Sequence, residues 1–117
     1  PWRLLARTHF WKIIMRSITV VRIYLSESKT DLHALISHLN EVEKAQGVTA
    51  FRGISGFGTD RKIHDFGLID TAFNLPIVVE FYDESERANK IMHSLNKDFK
   101  PKHMIHWQAN QWENTDA

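Results

Sequence analysis

The chain has no cysteine, which excludes disulfides and thiolate metal centres and points to a reducing, cytoplasmic setting. It also lacks any apolar run near the roughly 20 residues that a membrane-spanning helix requires. Proline is scarce, at 3 of 117 residues, so each one is informative as a break in regular structure. Excess charge is missing too. The 15 Lys and Arg against 14 Asp and Glu leave a net charge of +1, which argues against nucleic acid as a partner. What remains is an ordinary globular composition, 43% hydrophobic and 25% charged, at the length of one domain.

The charge is unevenly distributed. Residues 1–17 contain Arg3, Arg7, Lys12 and Arg16 and no acid, a local +4, so the rest of the chain is at −3. The same segment interleaves Trp2, Leu4, Leu5, Phe10 and Trp11 with its cations. It reads either as an amphipathic segment that binds a surface or a partner, or as an extension upstream of a natural start at Met15. The domain proper is expected over 18–117.

Periodicity orders that domain. Residues 18–25 alternate with Thr19, Val21, Ile23 and Leu25 on one face and Arg22 and Tyr24 on the other, a strand pattern. Thr30 suits a helix cap with Asp31 in the first turn, and Leu32, Leu35, Ile36, Leu39 and Val42 form an apolar stripe at three- and four-residue steps. Gly47 is the expected stop. A second strand is expected over 48–54, with Val48, Ala50, Arg52 and Ile54 opposite Thr49, Phe51 and Gly53. Extended alternation can resume over 66–73, and Asn74-Leu75-Pro76 signals a turn. Residues 77–82 are nearly all apolar, suiting an interior strand with Pro76 at its first position and Glu80 as its one charge. Asp83 and Glu86 have capping-box spacing ahead of a stripe of Ala88, Ile91, Met92 and Leu95. A basic turn over 97–102, broken by Pro101, leads to a last alternating segment over 104–112. The β-α-β-β-α-β order is ferredoxin-like: an α+β sandwich of an antiparallel sheet with two helices on one face.

Between the second strand and the later ones lies Arg52-Gly53-Ile54-Ser55-Gly56-Phe57-Gly58, followed by Arg61, Lys62 and His64. Closely spaced glycines permit positive φ and close approach of a ligand, and cations beside such a turn favour anions. This is the pattern of a sensing loop. Catalytic machinery is weakly indicated. His64 and Asp65 could act as a base and its orienting acid beside Arg61, but no nucleophile is placed near them, and a hydrogen bond pinning the loop is the simpler role. Arg52 can meet an effector anion or pair with Glu80, and Glu80 is expected in an ion pair. His103 and His106, three apart on a strand, fall on opposite faces and do not share a metal. His33 and His38 are expected at solvent or the edge of the stripe. Trp107 and Trp112 are expected to seal the sheet or a subunit contact. No catalytic or metal-binding residue is assigned.

The segment 52–58, the Ile63-His64 pair, Asn74-Leu75-Pro76-Ile77-Val78-Val79-Glu80 and Val21-Arg22-Ile23-Tyr24 stand in an order and spacing that resemble the PII-like proteins of domain-of-unknown-function family 190, over about residues 18–112. The resemblance implies a non-enzymatic regulatory homotrimer that binds a small anionic effector between subunits and meets a target protein through the loop 55–66. A target such as an ion channel is implied, so membrane contact would be only indirect. Carried over residue by residue, the effector-binding positions are Arg52, Gly56, Phe57, Gly58, Arg61 and His64, with Lys97, Lys100 and Lys102 on the second side. PII proteins have a glycine-rich phosphate loop there, whereas this chain has Asn96-Lys97-Asp98-Phe99-Lys100-Pro101-Lys102. Lysines can bind phosphate as point charges but provide no backbone cradle. The effector is therefore left open, with an adenine nucleotide as one candidate. The alternatives are a small acid–base enzyme acting on a phosphorylated or carboxylated substrate, and an adaptor that needs no effector.

Overall fold

The computed structural model describes residues 13–26, 32–58, 61–65 and 75–114. Strand β1 (Ile13–Ser26) leads to helix α1 (Leu32–Ser37), whose last turn, His38–Val42, is widened. Then come β2 (Gly47–Arg52), the short strands β3 (Ser55–Gly56) and β4 (His64–Asp65), β5 (Pro76–Asp83), α2 (Ser85–Asp98) and β6 (His103–Asn114). The main sheet has the order β2-β5-β1-β6 and every pairing in it is antiparallel. This is the ferredoxin-like α+β arrangement, and β5 is the interior strand expected from its apolar run.

One face of the sheet makes the core. Val21 and Ile23 of β1 and Ile77, Val79 and Phe81 of β5 pack against Leu35 and Leu39 of α1 and Ala88, Ile91 and Leu95 of α2. Both helices therefore lie on the same face, with α2 burying the stripe expected of it. The opposite face carries Tyr24, Phe51, Ile105 and Trp107, all exposed, around an ion pair in which Arg22 Nε donates to Glu80 Oε1 at 2.8 Å.

Several local expectations are corrected. β1 begins at Ile13, five residues ahead of the expected start, because residues 13–17 pair with 110–114 of β6 beyond the end of β5. Val42 is 66% exposed and not part of the buried stripe. The Glu43 N–H donates to the His38 carbonyl, an i to i+5 bond, and this wider turn rotates Val42 out of line with Leu35 and Leu39. Gly47 does not end α1. Lys44, at φ 53°, makes the reversal, with the Ala45 N–H on the Leu39 carbonyl. Gly47 instead opens β2 opposite Tyr82, where a Cβ would collide with the tyrosine ring.

Asp83 is not the helix cap either. It is the last residue of β5, and the strand alternation turns it inward to 1% exposure. There Oδ1 accepts from the Glu84 N–H at 2.7 Å and from Gln46 Nε2 at 3.4 Å, and Oδ2 accepts from Arg87 Nε at 3.2 Å. The capping box with Glu86 does not form, since Glu84 occupies the cap position without a side-chain bond. The expectations for Thr30, Asp31 and a strand over 66–73 lie outside the described residues.

Asp83→Ala leaves the Glu84 N–H, Gln46 and the half-exposed Arg87 without their buried acceptor. It is expected to lower the unfolding free energy by about 1–3 kcal/mol in urea titrations, as loss of charged hydrogen bonds to a buried carboxylate does.

Candidate functional site

The glycine-rich segment is anchored by proline. Where β2 ends, the Gly53 N–H donates to the Pro76 carbonyl at 2.7 Å. A Cβ on Gly53 would stand 2.7 Å from Pro76 Cγ, and one on Gly56 would stand 3.2 Å from the same atom. Packing on the proline therefore excludes a side chain at Gly53, and at Gly56 the ring would have to yield by a few tenths of an ångström. Gly58 faces open space, and none of Gly53, Gly56 and Gly58 adopts positive φ. The expectation that glycines would supply left-handed turns here is corrected: cations do so. Arg61 has φ 60° and Lys100 has φ 48°.

β3 and β4 form a small hairpin in which Ser55 pairs with Asp65 and Gly56 with His64. The Arg61 N–H closes a turn on the Gly58 carbonyl at 2.9 Å, and the Arg61 guanidinium stacks over the Phe57 ring at 5.0 Å. His64 is placed by its backbone pairing, and its side chain and that of Asp65 lie outside the described residues. At the C-terminus of α2, the Phe99 N–H donates to the Leu95 carbonyl at 2.8 Å and the Lys100 N–H to the same oxygen at 3.0 Å. This shared acceptor and the left-handed Lys100 end the helix and lead into the exposed Lys102.

The two expected binding clusters share one end of the sheet. Arg52 is opposite Ile77, Ser26 opposite Pro76, and Tyr24 opposite His103, so the loop base and the 97–102 turn lie at the same level. They stand on opposite edges, however, with β2 at one edge and β6 at the other. Three strand spacings, about 14 Å, separate them. One subunit does not join Arg52, Gly56, Phe57, Gly58 and Arg61 to Lys97, Lys100 and Lys102.

Glu80 is paired, as expected, and its partner is Arg22 rather than Arg52. The Glu80 hydrogen bond, then that of Tyr24, raises the Arg22 guanidinium above its ordinary value. Arg22 also lies 5.5 Å over the Trp107 ring. The register places His103 with Tyr24 and His106 with Val21, on opposite faces.

One constellation was missed. His38 Nε2 lies 2.7 Å from Glu43 Oε2, which also accepts from Ser94 Oγ at 2.6 Å, while Phe99 meets the His38 ring edge-on at 5.3 Å. Only the widened turn places residues five apart side by side, so a reading at regular helical spacing set His38 at the stripe's edge. The carboxylate is the hub: Ser94 spends its proton on Glu43 and has none to give His38. The group is a clasp between the helices, in which Ser94 Oγ also lies 3.4 Å from His38 Nε2. Arg87 strengthens it by donating to the carbonyls of Glu43 and Lys44.

The fold is that of PII-like proteins. CPII of Thiomonas intermedia K12, in a structure bound to ADP and bicarbonate, superposes with a TM-score of 0.57 at 12% identity, over 86% of this chain and 92% of that one. A PII-like signalling protein of Thermus thermophilus superposes with a TM-score of 0.57 at 21% identity over the same shares. Residues 18–111 match the family model DUF190, described as "Uncharacterized ACR", and the chain belongs to that family. Its relatives include the UPF0166 proteins of Aquifex aeolicus, 31% identical over 88 residues (72% of this chain, 80% of the relative), and of Methanocaldococcus jannaschii, 28% identical over 90 (74% and 82%).

Gly53→Val is expected to lower stability by about 1–3 kcal/mol by forcing the loop base off Pro76, whereas Gly58→Ala stays within about 0.5 kcal/mol. Urea unfolding of the two variants side by side measures the difference.

Proposed function

We propose that this protein is a PII-like regulatory subunit. It acts in the cytoplasm as a homotrimer, binds a small anionic effector between subunits, and contacts a target protein through the loop 55–66. The observation that carries the reading is the placement of the two cationic clusters at one end of the sheet but on opposite edges. A head-to-tail ring sets the β2 edge of one copy beside the β6 edge of the next. That contact brings Arg52, Gly56, Phe57, Gly58, Arg61 and His64 together with the neighbour's Lys97, Lys100 and Lys102. The exposed apolar face around Arg22 and Glu80 supplies surface for such an assembly.

Two of these cations, Arg61 and Lys100, hold left-handed backbone that costs a non-glycine residue of order 1 kcal/mol. Strain of that kind is tolerated where a side chain must be aimed. In the absence of a glycine cradle, recognition falls to side-chain charge, which suits phosphate or carboxylate oxygens. Structures of CPII contain ADP, AMP and bicarbonate, and those ligands are the first panel to test here. The seating of the loop, rather than turnover, is the response: effector at the loop base would shift the balance of loop conformations and so the target contact.

Light scattering is expected to give a particle of three times the 13.7 kDa chain mass. Calorimetry against ADP, AMP and bicarbonate is expected to show binding that Arg61→Ala and Lys100→Ala each weaken about tenfold, as loss of a charged hydrogen bond does. A stable monomer that binds none of the three would overturn the reading.

A further inference from the structure

Three large apolar side chains stand exposed among the cations of the loop end. Ile54 is 76% exposed, Ile63 63% and Phe57 56%, and all three sit on the hairpin that follows β2. A small hydrophilic anion has no use for Ile54 and Ile63, nor for the whole ring of Phe57. Their neighbours Arg61 and Lys62 are exposed cations, and the Arg61 stack over Phe57 holds an apolar ring and a positive charge together.

Among the described residues, the two ends of the subunit differ in charge. The loop end carries exposed Arg52, Arg61, Lys62, Lys97, Lys100 and Lys102, with Asp98 the acid among the described side chains of those two segments. The far end collects Glu41, Glu43, Asp83, Glu84, Glu86 and Glu113, with Arg16, Lys44 and Arg87 among them, around the start of β2, the start of α2 and the β1–β6 ribbon. The cations of the loop end span both edges of the sheet. Within one copy the hairpin tip and the lysines of the other edge are about 14 Å apart, so a contact confined to the tip engages Phe57 and Arg61 and leaves that copy's lysines out. A flat anionic surface meets both edges at once.

We propose that this end of the molecule docks directly on an anionic lipid surface, with Ile54, Phe57 and Ile63 entering the headgroup boundary and the arginines and lysines meeting the lipid phosphates. Apolar side chains at the boundary and cations at the headgroups act additively, and neither set alone holds a protein firmly. In a ring all copies present this end in the same direction, which multiplies weak contacts into stable attachment. The docking chemistry does not require an effector, so it stands or falls separately from nucleotide binding.

The full chain is centrifuged with vesicles of phosphatidylglycerol or of phosphatidylcholine at low salt. It is expected to sediment with the first and not the second. Phe57→Ser, Ile63→Ser and, from the opposite edge, Lys102→Glu are each expected to weaken the partition about tenfold. All three positions are exposed, and unchanged circular dichroism confirms that the variants fold. Three results overturn the proposal. Failure to bind phosphatidylglycerol would return the apolar tip to a protein partner. Undiminished binding by the two serine variants would mean adsorption by charge alone or through residues 1–12. Indifference to Lys102→Glu would mean that the far edge takes no part.

Discussion

β5 lies between β2 and β1, and its register governs the rest of the structure. Ile77, Val79, Phe81 and Asp83 point toward the helices, while Val78, Glu80 and Tyr82 point away. A slip of one residue would exchange the two sets and drive Glu80 under α1 and α2 while exposing Phe81. The same register aligns Glu80 with Arg22 and puts Pro76 beneath Gly53. At its other end it turns Asp83 inward to receive Arg87. Core, loop base and helix entry are thus consequences of one strand's pairing.

From that strand the molecule divides into two ends of different character. Away from the loop, α1 and α2 are tied by the Glu43 carboxylate shared between His38 and Ser94 and by Arg87 on the last carbonyls of α1. Toward the loop, a proline lies under two glycines, β3 and β4 pair as a short hairpin, and an arginine stacks on a phenylalanine. The cations that would receive an anion sit where this hairpin and the α2–β6 turn leave the sheet.

Much of this was legible from residue order. Strand alternation from Thr19 to Leu25, the apolar run after Pro76 and the stripe from Ala88 to Leu95 each identified an element and the face it buries. The family resemblance rested on residues that the family model also matches. The site was legible as a list but not as an arrangement. Arg61 and Lys100 were named for their charge and not for their left-handed backbone; in the loop that conformation was expected of the glycines, and Gly53 and Gly56 instead pack against Pro76, on a strand far along the chain. Asp83 read as a cap because Asp-x-x-Glu is a local signal, and strand alternation overrode it. His38 and Glu43 are side by side only in a widened turn, and Ser94 completes the group from another helix.

Residue order alone determined the class of fold, since periods of two and of three to four residues record which faces must leave water, and those periods change at the right places. It also determined the chemistry available at the loop: cations, glycines and no nucleophile. Only the tertiary structure decided where that chemistry sits. Pairing β2 and β6 to opposite sides of the β5–β1 centre carried two cationic clusters to one end and kept them about three strand spacings apart. That separation is a property of sheet order, which arises from hydrogen bonding between segments distant in sequence, and no local pattern encodes it.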